Sequence, residues 1–216
     1  MFRNGTVAVC FALILVSGVC NAQKTWWGEV AGVAGGGSND IFRFQELEGT
    51  GSVTGKGYWT GGVEIRRLFG DHFSLGTGIL YSHQYYFTSP APMIGGEDRH
   101  ASLGLVTAPV TVRAGFLKYL FADAGAVFAV QTSSSDVDDM TGLGTTFGAG
   151  VQYKFKSDLF ITVRAYATQY GLLHFIPENY PQTLLNSGVT FCVGYRFIRL
   201  GSCNCPDDKN PVRKFR

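Results

Sequence analysis

The sequence predicts an all-β chain folded as an eight-stranded antiparallel up-and-down transmembrane β-barrel, and three observations carry that prediction. Between its turns the chain alternates apolar residues with small, polar or charged ones, as strands with two different faces do. Its connections alternate too: about three residues after the second, fourth and sixth strands, longer and more polar after the first, third, fifth and seventh. Tight turns at one rim and larger loops at the other are what a membrane barrel shows. Finally, the apolar face ends in aromatic rings near the tight turns, where the headgroup boundary favours an amphipathic ring.

Composition agrees. Charged residues make up 16% of the 216 and aromatics 14%, against about 25% charged in an ordinary soluble domain. The formal net charge is +2, and no basic patch, zinc spacing or RNA-binding pattern points to nucleic acid. Residues 1–22 place Arg3 before an apolar run from Val7 to Val16 and small residues ending at Ala22. That is the layout of a secretory signal peptide, with an apolar core too short to span. Cys10 and Cys20 would leave with it, so Cys192, Cys203 and Cys205 remain. Three cysteines make no disulfide framework, and a lone Cys203-Asn204-Cys205 in a polar tail is a weak redox or metal signal.

The strands follow in order. The first is 25–34, opening on Trp26 and Trp27 with Glu29 inside it; 35–56 reads as a Gly-, Ser- and Thr-rich loop. Residues 57–87 form a long hairpin. Trp59, Val63, Ile65 and Phe69 alternate with Tyr58, Thr60, Glu64 and Arg66. Past the turn Gly70-Asp71-His72, Phe73, Leu75, Ile79 and Tyr81 alternate with Ser74, Gly76, Gly78 and Ser82. Glycine and aspartate suit such a connection. A loop, 88–99, leads to the fourth strand, 100–116, where Pro109 reads as a bulge or kink because proline donates nothing to the ladder. Leu117-Lys118-Tyr119 turns into strand five, 120–132; the acidic loop 133–141 leads to strand six, 142–155. Lys156-Ser157-Asp158 turns into strand seven, 159–170, and the loop 171–183 precedes strand eight, 184–197. An even count returns both ends of the barrel to the tight-turn side.

The two faces then divide the work. Phe69, Phe73, Phe116, Tyr119, Tyr153, Phe155, Tyr195 and Phe197 are the expected membrane-interface girdle. Glu29, Glu64, Arg66, Arg113, Asp123, Lys154, Arg164 and Arg196 are the expected interior charge network, which must pair because isolated buried ions are strongly unfavourable. Gly62, Gly76, Gly78, Gly125, Gly148, Gly150 and Gly194 would leave room for the arginines. A soluble lipocalin-like barrel is the alternative architecture, and the aromatics of the apolar face argue against it.

These features, over residues 23–197, resemble the small outer-membrane β-barrel domain proteins of Gram-negative bacteria, the porT-like and outer-membrane-protein-A-like barrels. The elements concerned are the opening strand, the hairpin ending Leu68-Phe69-Gly70-Asp71-His72, the proline-containing fourth strand, the glycine-rich fifth and the aromatic-terminated last. The resemblance implies an outer-membrane location, outer-membrane lipids and the insertion machinery as partners, and Phe197 as the assembly signal. Residues 198–216 continue as a short periplasmic tail, expected to be disordered from its charge and prolines, with contact to an extracellular or periplasmic protein partner left open for loops and tail.

Eight strands enclose only enough space for side chains, so the expected role is structural or surface interaction through the outer loops, with no open pore and no enzyme activity. The competing function is an outer-leaflet lipid-modifying enzyme. Its candidate bases are His83 beside Ser82, His100 and His174, but no nucleophile, base and orienting group stand together. Asp136, Asp138 and Asp139 lack the glycine and terminal glutamate of a calcium loop. Gly49-Thr50-Gly51-Ser52 lacks the Lys-Ser/Thr of a phosphate loop. No catalytic residue, cofactor or metal ligand is assigned.

Overall fold

The computed structural model describes residues 27–43, 52–69, 72–89, 99–133, 139–175 and 182–198. They form eight strands: β1 (Trp27–Arg43), β2 (Ser52–Phe69), β3 (Phe73–Ser89), β4 (Arg99–Gly115), β5 (Leu120–Gln131), β6 (Gly142–Lys154), β7 (Leu159–His174) and β8 (Gln182–Ile198). Each pairs antiparallel with the next, and β1 closes on β8 in one register from Trp27↔Ile198 to Arg43↔Gln182. Closure leaves no unpaired edge, which is what a backbone inside lipid requires. The expected signal peptide (1–22), the tail after Ile198 with Cys203 and Cys205, and Asp136 and Asp138 lie outside the described residues.

The rims differ as expected. Residues 70–72, 116–119 and 155–158 connect strands at one end; 44–51, 90–98, 132–141 and 175–181 connect them at the other. At the short turn 155–158, Asp158 takes a left-handed φ of 61° and the Phe155 amide donates to the Leu159 carbonyl at 2.8 Å. A short polar side chain tolerates that conformation.

Six strand ends run further toward the long-loop rim than the sequence indicates, β3 reaching Ser89 rather than residue 87 and β4 starting one residue early at Arg99. β1 continues to Arg43 instead of stopping at residue 34, β2 begins at Ser52 and not at Gly57, β7 reaches His174 rather than residue 170, and β8 starts at Gln182 in place of Leu184. Gly35-Gly36-Gly37 reads as loop because glycine has little strand propensity. Here it is strand because neighbouring backbones press close: a Cβ on Gly37 would overlap the Ser187 carbonyl, and one on Gly35 the Val189 carbonyl.

Pro109 makes no bulge. It pairs with Val127 on β5 without a register shift, and toward β3 the ladder lapses only opposite Gly78 and Ile79 before resuming in the same register. Losing one N–H removes a rung without demanding an extra residue. The irregularities fall instead between Gly55 and Gly57 on β2 and between Leu143 and Thr145 on β6. Gly57, at φ 116°, and Gly171, opposite the second, at φ 71°, supply the positive dihedrals there.

The apolar face looks outward. Val63 is 50% exposed, Ile65 53%, Ile79 69% and Val193 61%, while Glu64, Arg66, Arg113 and Arg164 are buried. Ten residue steps along β2 separate the exposed rings of Phe69 and Trp59. At about 3.3 Å per residue and a tilt of about 40°, that is a band about 25 Å tall, the height of a barrel's apolar belt.

Candidate functional site: the lumen and its two mouths

The half of the lumen nearer the tight turns is ionic. Asp123 of β5 faces Arg113 of β4 across the ladder and accepts from its Nε at 3.3 Å and Nη2 at 3.1 Å. Its other oxygen accepts from Arg164 of β7, Nε at 2.8 Å and Nη2 at 2.6 Å. Glu64 holds Arg66 at 2.7 Å. Glu29, directly opposite both Arg66 and Arg196 in the ladders, takes Arg196 Nη2 at 2.9 Å and Gln152 Nε2 at 3.3 Å. Charges removed from water are tolerable only in this paired form. Four arginines meet three carboxylates, and the π face of Phe121, 3.5 Å from the Arg113 guanidinium carbon, shares the excess positive charge.

Two sequence expectations need correction here. Lys154 points inward by register but is exposed at the mouth, because it is the last residue of β6. The glycines serve rings as well as arginines. A Cβ on Gly148 would strike Arg164 Nε and Asp123 Oδ1, and one on Gly76 would crowd Arg66 Nη1. At Gly150 and Gly194, however, the space is taken by the Phe121 and Phe160 rings.

Above the ions the lumen becomes neutral, then apolar. The Tyr58 hydroxyl donates to that of Tyr166 at 2.7 Å across the barrel. Buried Asn39 organises the next layer: its Oδ1 accepts the Gly57 amide at the β2 bulge at 2.7 Å, and its Nδ2 donates to Gln84 Oε1 at 3.1 Å. Over these lies a cluster of Tyr86, Leu103, Leu105, Val127, Ala129, Met140, Tyr170 and Leu184, with Ile41 and Val53 against it. Met140 belongs to the long link before β6; Gln131 Oε1 accepts its amide at 2.9 Å, which turns the residue into the mouth. Between the halves, the central cavity measures about 30 Å³, enough for about one water.

Neither Asn39 nor Met140 is among the sequence candidates, since both fall in stretches that read as loop. The apolar plug was missed although its signal is present: Leu103 and Leu105 share the even spacing of Thr107, Thr111 and Arg113.

On the outer wall, Phe69, Phe73, Phe116, Tyr119, Tyr153, Phe155, Tyr195 and Phe197 are all exposed at the tight-turn rim. Tyr119 stacks on Tyr153 at 5.9 Å, and Tyr153 meets Phe155 edge-on at 4.9 Å. The Arg67 guanidinium lies 4.8 Å from the Phe69 ring. A second aromatic group stands toward the long-loop rim, where Trp59 contacts Tyr81 and His83, and His83 contacts Tyr85. Thus His83 joins the outer wall while Ser82 faces the lumen, and the two form no pair. His100 contacts Phe87 at 5.2 Å, and His174 lies beside Gly171. The structure does not bring the three histidines together. Asp139 caps the Thr141 amide at 2.9 Å and its hydroxyl at 2.6 Å; among the described residues no group of three potential ligands could hold a metal. In the turn 116–119, the Tyr119 hydroxyl raises the pKa of the Lys118 amine above its ordinary value by hydrogen bonding, so it is cationic throughout the neutral range.

Residues 9–197 match the family model of the outer membrane protein beta-barrel domain. Among solved structures, the outer membrane protein OprG of Pseudomonas aeruginosa is similar over 80% of this chain and 96% of its own, at 13% identity and a TM-score of 0.52. Outer membrane protein W of E. coli is similar over 79% and 98%, at 15% identity and a TM-score of 0.44. At such identities the likeness concerns fold alone. No curated protein matches the chain.

Proposed function

The chain belongs to the outer membrane protein beta-barrel domain family, and we propose that within the outer membrane it is a closed, non-enzymatic barrel with a structural or surface-interaction role at its long-loop rim. The observation that supports this reading most is the stacking of an apolar plug on an ion-paired layer, with about 30 Å³ between them. A permeant solute would have to displace Leu103, Leu105, Met140 and Leu184, all fully buried. Tight turns face the periplasm in barrels of this kind, so the plugged mouth and the long links face outward. Lipid modification has less support, since His83, His100 and His174 sit apart on different elements.

Conductance tests the closed lumen. Purified protein reconstituted in planar bilayers is expected to give no sustained openings, and proteoliposomes to stay impermeable to small sugars. Replacing both Leu103 and Leu105 by glycine is expected to raise leakage. Stable single-channel steps in the wild-type protein would contradict the reading.

A further inference from the structure

We propose that the tight-turn mouth holds a binding site for the headgroup of an anionic phospholipid of the inner leaflet. The proposal rests on the orientation argued above, which puts this mouth at the periplasmic headgroup level. A cavity of about 340 Å³ opens there beneath the 116–119 turn, bounded by residues of β2 to β6. Its charged lining is of one sign: Arg113 on the inner wall, Lys118 from the turn and Lys154 from the end of β6, with no carboxylate among the described lining residues. Arg113 is buried and fixed by Asp123, so the innermost cation is preset, while both lysines stand exposed at the opening.

The rest of the lining selects an amphiphile over a free anion. Phe73, Phe116 and Leu117 line the same cavity and are more than half exposed at the rim. Cationic and oily surface therefore adjoin at one height, as a phosphodiester and the acyl chains beneath it do. Lysines near a membrane surface attract anionic lipid, and a concave site adds retention that a flat rim lacks.

The test uses the full-length protein folded into nanodiscs of equal phosphatidylglycerol and phosphatidylcholine, with lipids retained on the released barrel read by native mass spectrometry. The wild type is expected to retain phosphatidylglycerol about fivefold or more over phosphatidylcholine. The double substitution Lys118→Gln/Lys154→Gln is expected to bring retention down to the bulk ratio. Lys156→Gln, at an exposed lysine of the neighbouring turn outside the cavity, is expected to leave it unchanged. Millimolar glycerol 3-phosphate is expected to displace nothing. The proposal is overturned by equal retention in the wild type, by an undiminished preference in the double variant, or by an equal loss in Lys156→Gln, which would mean a general rim charge. Full displacement by glycerol 3-phosphate would also overturn it, making the site one for soluble phosphate esters. Heat-modifiable gel migration is followed alongside: its absence in the wild type would count against the barrel itself, whereas its retention with no lipid preference would count against this site alone.

Discussion

Replacing Asp123 by alanine is expected to lower the unfolding free energy by about 3–5 kcal/mol, the cost of leaving buried charge unpaired. Asp123 is shared by two arginines, accepting from Arg113 of β4 and Arg164 of β7. Its removal would leave both guanidinium groups in a lumen where Glu64 and Glu29 are already engaged by Arg66 and Arg196. Urea titration in micelles, followed by the loss of heat-modifiable migration, reads the change. The compensating variant separates charge from packing. If Asp123→Ala is combined with Arg113→Met and Arg164→Met, most of the loss is expected to return, because removing a whole buried ion group is often neutral. Equal instability in the triple variant would mean that shape, rather than unpaired charge, sets the cost.

The outer wall makes the second large prediction. Ile79 lies six residues from Phe73 and six from Tyr85 along β3, both exposed rings on the same face, so it stands near the bilayer midplane. Arginine there is expected to cost about 2–4 kcal/mol, while arginine at Phe73, in the interface, is expected to cost about 0–1 kcal/mol. Equilibrium unfolding in phospholipid vesicles measures both. A soluble barrel with the same alternation would turn this face into its core, so arginine would be costly at both positions rather than at the midplane alone.

Much of this architecture was legible because a strand exposes two faces and the bilayer accepts only one chemistry. Val63 and Ile65 against Glu64 and Arg66 state which residues share a side, and the loop lengths state which side meets lipid. That inward charges of both signs must pair could be read from the sequence; that Glu29 takes Arg196 is seen only once β1 closes on β8. What stayed hidden depends on distances between strands far apart in sequence. Gly35-Gly36-Gly37 reads as loop until β8 is laid against it. Asn39 shows its purpose only beside the bulge at Gly57, and Met140 only when its link folds over the mouth. The plug stays hidden for another reason: the rule of polar residues inside holds for water-filled lumens, and in a barrel this narrow Leu103, Leu105 and Leu184 fill the space as a soluble core would. Lys154 shows the converse. Its parity is inward, yet at the last rung of β6 the side chain stands exposed.

Collision accessibility along β3 tests the inside-out arrangement most directly. Spin labels placed singly from Ser74 to Ser82, in a background without native cysteines and with the protein in lipid vesicles, report contact with oxygen dissolved in the bilayer. High oxygen accessibility is expected at Leu75, Thr77, Ile79 and Tyr81 and low accessibility at Ser74, Gly76, Gly78, Leu80 and Ser82, a strict period of two. The opposite phase, with the first set shielded and the second open to a water-soluble relaxant, would contradict the account.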